Sequence, residues 1–428
     1  MRCYFILQTS LYPYVCKRKA FPTGHPTCLI GPKLNGYSVN DLEGVVRCTV
    51  LPPRTLYIPL LPSKINGKLL FTLCRTCAEL QRQGKCNHGE EARALTGTWV
   101  SLELRKAVKI GYTVLQLHEA WHYDHTTVYD QTTGTGGLFS SYMDTFIQLK
   151  MEASGYPPGV ETDLQKAEFI AKTEKNEGVR LDVHNIKKNP GCRAVAKLCL
   201  NNLWGKLGQR SNMSQTNFIR NPRDFFHLMT SDEVDVNDCY LVNEDCIYVT
   251  YRNNKGFEKG SPNTNAIIAS YVTCHARLVL YEYLEKLQHR VLYYDTDSVI
   301  YRSVEGEYEP VISDQMGGMT DELDGQFITE FVSNGAKTYA YRTNEGRDTV
   351  KCKGFTLNKL TSEYITLDTM RTLAIGEEGA TIAVVQSVIR SEAKRQRVCS
   401  KIETKVYRRT FDKRVRREDH TSVPYGYR

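Results

Sequence analysis

Residues 293–301, YYDTDSVIY, are the stretch on which the fold prediction rests. Apolar and polar side chains alternate on both sides of Thr296-Asp297, which predicts two short strands joined by a two-residue turn. Such turns favour glycine or asparagine because the backbone there reaches positive φ, yet here the carboxylates of Asp295 and Asp297 flank a β-branched threonine. A turn so poorly suited to its conformation indicates a function.

Carboxylates at a hairpin tip can hold hard divalent cations, because Mg²⁺ takes oxygen ligands and keeps water and substrate phosphate in its shell. Two such ions a few ångströms apart make a phosphoryl-transfer site. For a lone Asp-x-Asp, a solvated tip in which aspartate is an ordinary turn former is the commoner outcome. The hairpin resembles the palm motif of the family B DNA polymerases. That resemblance implies that Asp295 and Asp297 are catalytic and bind two Mg²⁺ ions.

Composition permits this interpretation and excludes several others. The chain has 428 residues, 41% of them hydrophobic and 24% charged, as in a soluble globular protein with a sizeable core. The opening apolar run, residues 3–7, is too short for a signal sequence, and no apolar stretch approaches the ~18 residues that span a bilayer. We therefore expect an intracellular protein that is neither secreted nor membrane-spanning. Its fourteen scattered cysteines favour reduced thiols, with one metal site, over a disulfide scaffold.

The net charge of +8 is concentrated near the end of the sequence. Thirteen Lys and Arg residues against five acids lie between Arg390 and Arg428, a surplus as large as that of the whole chain. A charge run is usually a solvated face. Mixed with Tyr407, Phe411 and Tyr425, it also suits a surface that follows a phosphate backbone.

Residues 4–13, YFILQTSLYP, predict an apolar strand that ends in a Ser-Leu-Tyr-Pro turn. They resemble the first palm motif of family B, an aspartate on a strand followed after two residues by Ser-Leu-Tyr-Pro. The resemblance implies that the amides around Ser10 and Leu11 cradle the incoming triphosphate. It also implies that Tyr12 lies under the sugar and excludes a 2′-OH. The alternative for Tyr12 is a plain core aromatic.

The sequence departs from the family at Leu7, which stands where the first metal-binding aspartate is expected. No acidic residue occurs before Asp41, and because only six residues precede Leu7 we expect the chain to lack the 3′–5′ exonuclease module that normally precedes this motif in the family. We expect a truncated or wrongly joined reading frame, or genuine decay of the site. The sequence alone leaves both open.

Residues 51–133 are an insertion that lies, by position, where protein-primed polymerases contact their priming protein. It contains two close pairs of ligand residues, Cys74 with Cys77 and Cys86 with His88, which predict one structural, tetrahedral Zn²⁺ site. Unrelated thiols in a loop are the alternative. The segment RALTGTWVSLELRKAVKIGYTVLQLHEAWHY predicts a strand, a helix bounded by Gly111, and another strand.

Three helices are predicted for residues 134–212. The first carries an aromatic stripe and ends by Gly155, the second covers residues 163–177, and the third runs from Pro190 to Gly205. The third helix places four residues on one stripe, namely Arg193, Lys197, Asn201 and Trp204. Cations one turn apart can neutralise a triphosphate. The stripe resembles the family B fingers motif, with Asn202 in place of its serine and Trp204 in place of its tyrosine, and implies that Arg193, Lys197 and Asn201 bind the nucleotide.

The remaining motifs concern DNA. CYLVNEDCIYVTYR predicts two further palm strands, and the helix that follows carries Thr273 and Arg277 in a Thr-x-x-Ala-Arg pattern that resembles the primer-terminus motif of protein-primed polymerases. Two strands around a turn at residues 344–347 interleave lysine with tyrosine, as suits a groove that tracks a backbone. Their DNA-binding candidates are Lys337, Tyr339, Lys351 and Lys353, the first two matching a Lys-x-Tyr motif of family B.

Five motifs in family order identify the chain as similar to protein-primed family B DNA polymerases of viral or Maverick-Polinton transposon type. The resemblance implies an α+β right-hand fold, with an antiparallel palm sheet, helical fingers and a small thumb. The expected division is residues 1–50 first palm segment, 51–133 insertion, 134–212 fingers, 213–345 palm and 346–428 end of palm and thumb.

The implied reaction is template-directed DNA synthesis in the replication of a virus-like or transposon replicon. Its implied partners are primer and template DNA, dNTPs and a terminal priming protein. A reverse transcriptase would carry Tyr-x-Asp-Asp at the hairpin and lack the fingers motif. A non-catalytic nucleic-acid-binding remnant of a polymerase remains the alternative, and Leu7 supports it.

Overall fold

The computed structural model describes residues 2–130, 132–258, 260–376, 379–392 and 397–428. The chain divides into two compact units. The larger comprises Met1–Trp204, Ile267–Ile382 and Tyr407–Arg428, and the smaller comprises Gly205–Ala266 and Ala383–Val406.

Helices and strands alternate irregularly along the chain, as expected for an α+β fold. The helices are α1 (Leu11–Arg18), α2 (Arg75–Glu79), α3 (Glu90–Arg93), α4 (Ser101–Lys109), α5 (Ser140–Glu152), α6 (Asp163–Glu177), α7 (Pro190–Leu207), α8 (Pro222–Met229), α9 (Ala266–Leu287) and α10 (Leu367–Ile375). The strands of the first part are β1 (Cys3–Gln8), β2 (Pro22–Thr23), β3 (Thr27–Ile30), β4 (Gly44–Leu51), β5 (Pro62–Ile65), β6 (Lys68–Phe71), β7 (Leu95–Val100), β8 (Thr113–His122), β9 (His125–Thr126), β10 (Tyr129–Asp130) and β11 (Thr135–Gly136). Those of the second part are β12 (Gln215–Ile219), β13 (Val234–Asn243), β14 (Cys246–Asn253), β15 (Val291–Asp295), β16 (Ser298–Arg302), β17 (Met319–Asp321), β18 (Ile328–Gly335), β19 (Thr338–Thr343), β20 (Asp348–Cys352), β21 (Thr381–Glu392), β22 (Arg397–Arg408), β23 (Val415–Arg416) and β24 (Ser422–Val423).

The central sheet of the larger unit has the strand order β15-β16-β1-β18-β19-β20, and β17 also pairs with β1. All of its recorded ladders are antiparallel. Side chains from one face of β1 and β16, Ile6 and Val299 among them, enter a large core together with Leu280 and Leu284 of α9. The predicted hairpin at residues 293–301 is confirmed, and α9 covers the back of the sheet that carries it.

The insertion forms a second antiparallel sheet in the order β3-β8-β4-β7. The strand, helix and strand predicted for residues 93–123 are confirmed as β7, α4 and β8. Alternate residues of β4 are buried because one face of the sheet packs into the same core as the central sheet. The two sheets therefore share one hydrophobic interior.

The three predicted helices of residues 134–212 are confirmed as α5, α6 and α7. Helix α6 begins with a capping box at Thr162 and Gln165. It ends at Gly178, whose backbone is left-handed with φ of 68°, a conformation that glycine adopts without a Cβ penalty. Local capping signals were therefore sufficient to place this helix.

Two local predictions were wrong. The predicted Ser-Leu-Tyr-Pro turn is instead the start of helix α1, which covers residues 11–18, since Pro13 is accommodated in the first helical turn. Strands β13 and β14 do form, but they pair with β12 in a separate sheet within the smaller unit and do not join the central sheet. Residues 407–428, assigned to the thumb by position, belong to the larger unit, and their assignment to the thumb stays a prediction.

Within the described residues, no helix combines the length and apolarity that crossing a lipid bilayer requires.

A buried histidine in α9 makes stability depend on pH. His275 Nε2 donates to the Ala20 carbonyl oxygen at 2.8 Å, and burial lowers the pKa of His275 to about 4. An unfolded histidine titrates near 6.5, so the unfolded chain binds more protons between about pH 6.5 and 4. The free energy of unfolding therefore falls as pH falls through that window.

His275→Gln keeps an N–H donor but does not titrate. Between pH 7 and pH 5, we expect the free energy of unfolding of the unaltered chain to fall by about 2 kcal/mol more than that of His275→Gln. Urea unfolding at the two pH values measures this difference. The exposed His184→Gln serves as control and should behave like the unaltered chain. Equal pH slopes for all three proteins would contradict the assignment.

Candidate active site

The tip of the β15-β16 hairpin is a tight turn in which Thr296 has φ of 55°. The Asp297 N–H donates to the Asp295 carbonyl oxygen at 2.6 Å, and the Gln8 N–H donates to the Asp297 carbonyl oxygen at 2.7 Å. A β-branched residue in the left-handed region is strained, so the surrounding contacts must hold it there. The turn is therefore anchored to β1 at the point where the two carboxylates project.

The hairpin carboxylates lie in an environment that disfavours two negative charges. Burial and the neighbouring charge of Asp295 raise the pKa of Asp297. The Lys337 ammonium lies 2.8 Å from Asp295 Oδ2, and the Lys337 N–H donates to the Tyr293 hydroxyl at 3.0 Å. A cation is thus already held against one carboxylate by the start of β19.

Leu7 occupies the position facing the hairpin from β1. In the two ladders, Leu7 is opposite Ser298 and Ser298 is opposite Asp295, so all three side chains lie on one face of the sheet. The expected carboxylate is absent from this row. A further carboxylate, Glu322, follows β17 where its N–H donates to the Phe5 carbonyl oxygen, and its charge contributes to the raised pKa of Asp297.

Tyr12 does not pack as an ordinary core aromatic. Its ring stacks on Trp204 of α7 with centroids 4.8 Å apart and planes 14° apart. Burial and the negative charge of Asp297 raise the pKa of Tyr12, which places its hydroxyl in the field of the hairpin. Two flat rings, one from the first segment and one from α7, therefore meet beside the carboxylates.

Sequence reasoning missed Lys150 of α5. Its Nζ lies 3.4 Å from the Ser10 hydroxyl, and burial together with the positive charges of Arg193 and Lys197 lowers its pKa. Three cations therefore lie near one another, and Lys150 is the one next to Ser10, which itself has a left-handed backbone with φ of 50°. The available signal was a lysine just beyond the apolar stripe of α5.

The other residues of the α7 stripe are exposed. Arg193 Nε donates to the Ser154 hydroxyl at 3.1 Å, which ties α7 to the end of α5. Asn201 and Lys197 remain open to solvent. Leu11 is buried as the first residue of α1, so only its backbone can face a ligand.

A groove of about 490 Å³ runs from the hairpin along α9. Its lining includes Tyr12, Thr273, Arg277, Asp295 and Lys337, so the structure brings these predicted residues together. Apolar residues of the insertion and residues 410–414, two of which are basic, also line it. This mixture can hold an extended ligand with a charged backbone.

Arg277 is held in place by a buried partner. Its guanidinium donates to Glu103 of α4, whose carboxylate also accepts from the Val100 N–H at 3.3 Å. Burial raises the pKa of Glu103, and the charge of Arg277 opposes that shift. The ion pair therefore fixes the direction of Arg277 at the groove.

Three predicted DNA contacts stand outside this lining. Tyr339 is buried, with its ring 4.8 Å from that of Tyr293, and so supports the sheet. Lys351 and Lys353 are exposed at and just after strand β20 and do not line the groove, although the Lys353 N–H donates to the carbonyl oxygen of the groove residue Lys337 at 3.0 Å. Their roles stay predictions.

The predicted ligand residues Cys74, Cys77, Cys86 and His88 come together in the insertion, and their ligand atoms all lie within 4.8 Å of one another. His88 Nδ1 is 3.3–3.7 Å from the three sulfurs. Ligands bound at Zn–S of about 2.3 Å and Zn–N of about 2.0 Å in a tetrahedron stand roughly 3.5–3.8 Å apart. The donor set and spacing therefore fit Zn²⁺, and unrelated thiols would not converge in this way.

A family model described as DNA polymerase type B, organellar and viral, matches residues 9–167. No curated protein matches the sequence. Among solved structures, phi29 DNA polymerase complexed with primer-template DNA and incoming nucleotide substrates matches with a TM-score of 0.54 and 15% sequence identity, over 96% of this chain and 58% of that one. The post-translocation binary complex of phi29 DNA polymerase with primer-template DNA matches with a TM-score of 0.56 and 14% identity, over the same shares.

The chain thus spans less than two thirds of the phi29 polymerase, and the likeness of structure establishes the α+β fold. The region of the family match contains the Ser-Leu-Tyr-Pro motif, the insertion and the first fingers helix. The family match supports a resemblance to the type B DNA polymerases over residues 9–167, and the likeness to the phi29 polymerase structures shows the fold that the motifs predicted.

Proposed function

We propose that this chain carries out template-directed DNA synthesis, adding dNTPs to a primer 3′-OH, and that Leu7 keeps its rate low. The observation that carries the proposal is the convergence of three groups of residues. Two hairpin carboxylates, the Tyr12-Trp204 stack and the Lys150 ammonium beside Ser10 come from separate parts of the chain, and Tyr12 and Asp295 line the same groove. The proposed replicon is virus-like or transposon-borne, with a priming protein that contacts the insertion.

The residues divide the work by chemistry. Lys150, Arg193 and Lys197 would neutralise the triphosphate, while the backbone around Ser10 positions it. The primer 3′-OH attacks the α-phosphate of the dNTP and pyrophosphate leaves. Arg277 and Lys337 would hold the primer strand at the end of the groove.

The hairpin carboxylates fit divalent cations. Asp295 and Asp297 would hold Mg²⁺, because the raised pKa of Asp297 and the Lys337 contact both mark a place where positive charge is favourable. Bound ions would stabilise the charge that develops on the attacking and leaving oxygens. Strand β1 does not complete the donor set, because Leu7 has no ligand atom.

The second candidate function, a nucleic-acid-binding remnant without catalysis, also rests on Leu7. In this function the groove, the basic residues and the cations near Ser10 would bind DNA and nucleotide, but no reaction would follow. Chemistry at position 7 separates the two candidates.

We expect Leu7→Asp to raise the rate of primer extension on the order of 100-fold or more over the unaltered chain, because a misplaced or missing electrostatic group commonly costs several kcal/mol of barrier. The measurement is single-turnover extension of a labelled primer-template with Mg²⁺. Asp297→Ala added to Leu7→Asp should abolish the gain.

Leu7→Asn is the matched control, since it is polar and similar in size to aspartate but lacks the charge. It should extend primers little better than the unaltered chain. If Leu7→Asp binds primer-template normally and still extends no faster, the remnant is the correct interpretation.

We expect Lys150→Gln to raise the Kd of dNTP about tenfold or more, because a charge-assisted contact to phosphate contributes about 1.5–3 kcal/mol. Titration of nucleotide into the complex with primer-template measures it. The control is Lys166→Gln on α6, whose ammonium is 3.3 Å from Asp163. Unchanged affinity in Lys150→Gln would remove this lysine from the nucleotide site.

We further propose that the Cys/His cluster binds one structural Zn²⁺. All four positions are filled by protein side chains, which leaves no open position for catalysis. The Cys77 N–H also donates to Cys74 Sγ at 3.4 Å, a contact that would stabilise a thiolate ligand. The role assigned to the ion is to order the loop of the insertion.

Protein purified without chelator should contain about one equivalent of zinc, and Cys77→Ser should retain less than about a tenth of that amount. Elemental analysis of the folded protein decides this. Cys28→Ser, which changes an exposed cysteine outside the cluster, should keep the full amount. Equal zinc in both variants would contradict the site.

A further inference from the structure

Residues 407–428, here called the C-terminal strap, begin beside the hairpin. The Thr410 N–H donates to the Asn334 carbonyl oxygen at 2.9 Å. Gly335 has φ of 133°, and a Cβ there would lie 2.0 Å from the Thr410 carbonyl oxygen. The strap therefore touches the backbone of β18 two residues before Lys337.

The strap then forms one wall of the groove. Residues 410–414 are all among its lining residues, together with Asp295 and Lys337. The Arg414 guanidinium lies 5.0 Å from the centre of the Tyr57 ring and donates to the Tyr57 carbonyl oxygen at 3.2 Å. The strap is thus joined to the insertion across the groove.

The far end of the strap packs on the Cys/His cluster itself. Tyr425 is fully buried in a core that includes Cys74, Cys77 and Cys86. Its carbonyl oxygen accepts from the Leu73 N–H at 2.8 Å, and Arg428 Nε donates to the Cys86 carbonyl oxygen at 2.8 Å.

The contact with the ligand loop is close enough to exclude a side chain. Gly426 has φ of 93°, and a Cβ at that residue would lie 2.5 Å from the Cys74 Cβ. The backbone of the strap therefore packs directly against Cys74, the first ligand residue. Any shift of Cys74 must be passed to the strap.

The ligand loop has little structure of its own to hold that position. Residues 81–89, which carry two of the four ligands, form neither helix nor strand. A loop with so few backbone hydrogen bonds gains its order from the bound metal.

We propose that metal bound at the cluster holds the C-terminal strap in place as a wall of the groove, so that DNA binding depends on a metal that does not touch the hairpin carboxylates. This inference rests on the zinc site and the DNA groove proposed above. Thermodynamic linkage makes the coupling reciprocal. The factor by which bound metal favours the docked strap equals the factor by which the docked strap raises the affinity for metal.

Hydrogen exchange tests the proposal without DNA synthesis. Removing the metal with a chelator should speed exchange of residues 423–427 by about tenfold or more, while the hairpin strands β15 and β16 keep their protection. Adding zinc back should restore the slow exchange. Metal analysis of the same samples verifies removal and return. A strap that stays protected after the metal has been removed would overturn the proposal.

The reciprocal arm uses Gly426→Ala, which forces a Cβ into Cys74. The variant should release zinc to a chelator at about a tenfold lower concentration than the unaltered chain. Gly36→Ala is the matched control, because Gly36 has a similar φ of 90° and nothing within 4 Å of a Cβ, so it tests backbone strain alone. It should hold zinc normally.

Arg428→Gln is the second strap variant, because it removes the contact to Cys86 without backbone strain. It should weaken zinc retention and primer-template affinity together, by several-fold each. Equal zinc retention in both strap variants and the control would overturn the coupling. A different result is expected if the groove does not bind DNA. The strap variants would then still weaken zinc retention, but neither they nor removal of the metal would change the affinity for primer-template. A chain that holds no zinc would overturn the inference through its metal site.

Discussion

The antiparallel pairing of β1 with β16 is the constraint on which the active-site geometry depends. It places the first segment of the chain beside a hairpin almost three hundred residues later, with Leu7 opposite Ser298. Ser10 and Tyr12 follow directly from β1, so the same ladder sets the distance between the nucleotide residues and the carboxylates. A slip of one residue would turn Leu7, which is now partly exposed, to the face of the sheet that packs into the core.

The charged residues of this region form two groups of opposite sign, the hairpin carboxylates and the cations near Lys150. Asp295 and Asp297 repel each other in a partly buried turn, while Lys150 lies among the positive charges of Arg193 and Lys197. Each group is costly alone because a partly buried charge, Asp297 in one group and Lys150 in the other, lies close to charges of the same sign. A ligand that carries phosphates toward the cations and divalent ions toward the carboxylates relieves both costs, which is why the geometry suits nucleotidyl transfer.

The Cys/His cluster gives the second centre of organisation in the larger unit. Its loop and the C-terminal strap share one small core around Tyr425. Through Arg414 and Tyr57 that core is continuous with the groove that reaches the hairpin. A metal centre and an active site can therefore be coupled by packing, without any shared ligand.

The sequence by itself determined the local elements and the chemistry of the main motifs. The hairpin, the caps of α6 and the four metal-ligand residues follow from alternation, capping and spacing, all of which act over a few residues. Only the tertiary structure decided the rest. Lys150 joins the nucleotide residues because α5 packs beside the first segment, β13 and β14 pair with β12 in a sheet of their own, and residues 407–428 return to the insertion. These outcomes depend on contacts between residues far apart in sequence, and local sequence patterns cannot predict which of those contacts are favourable.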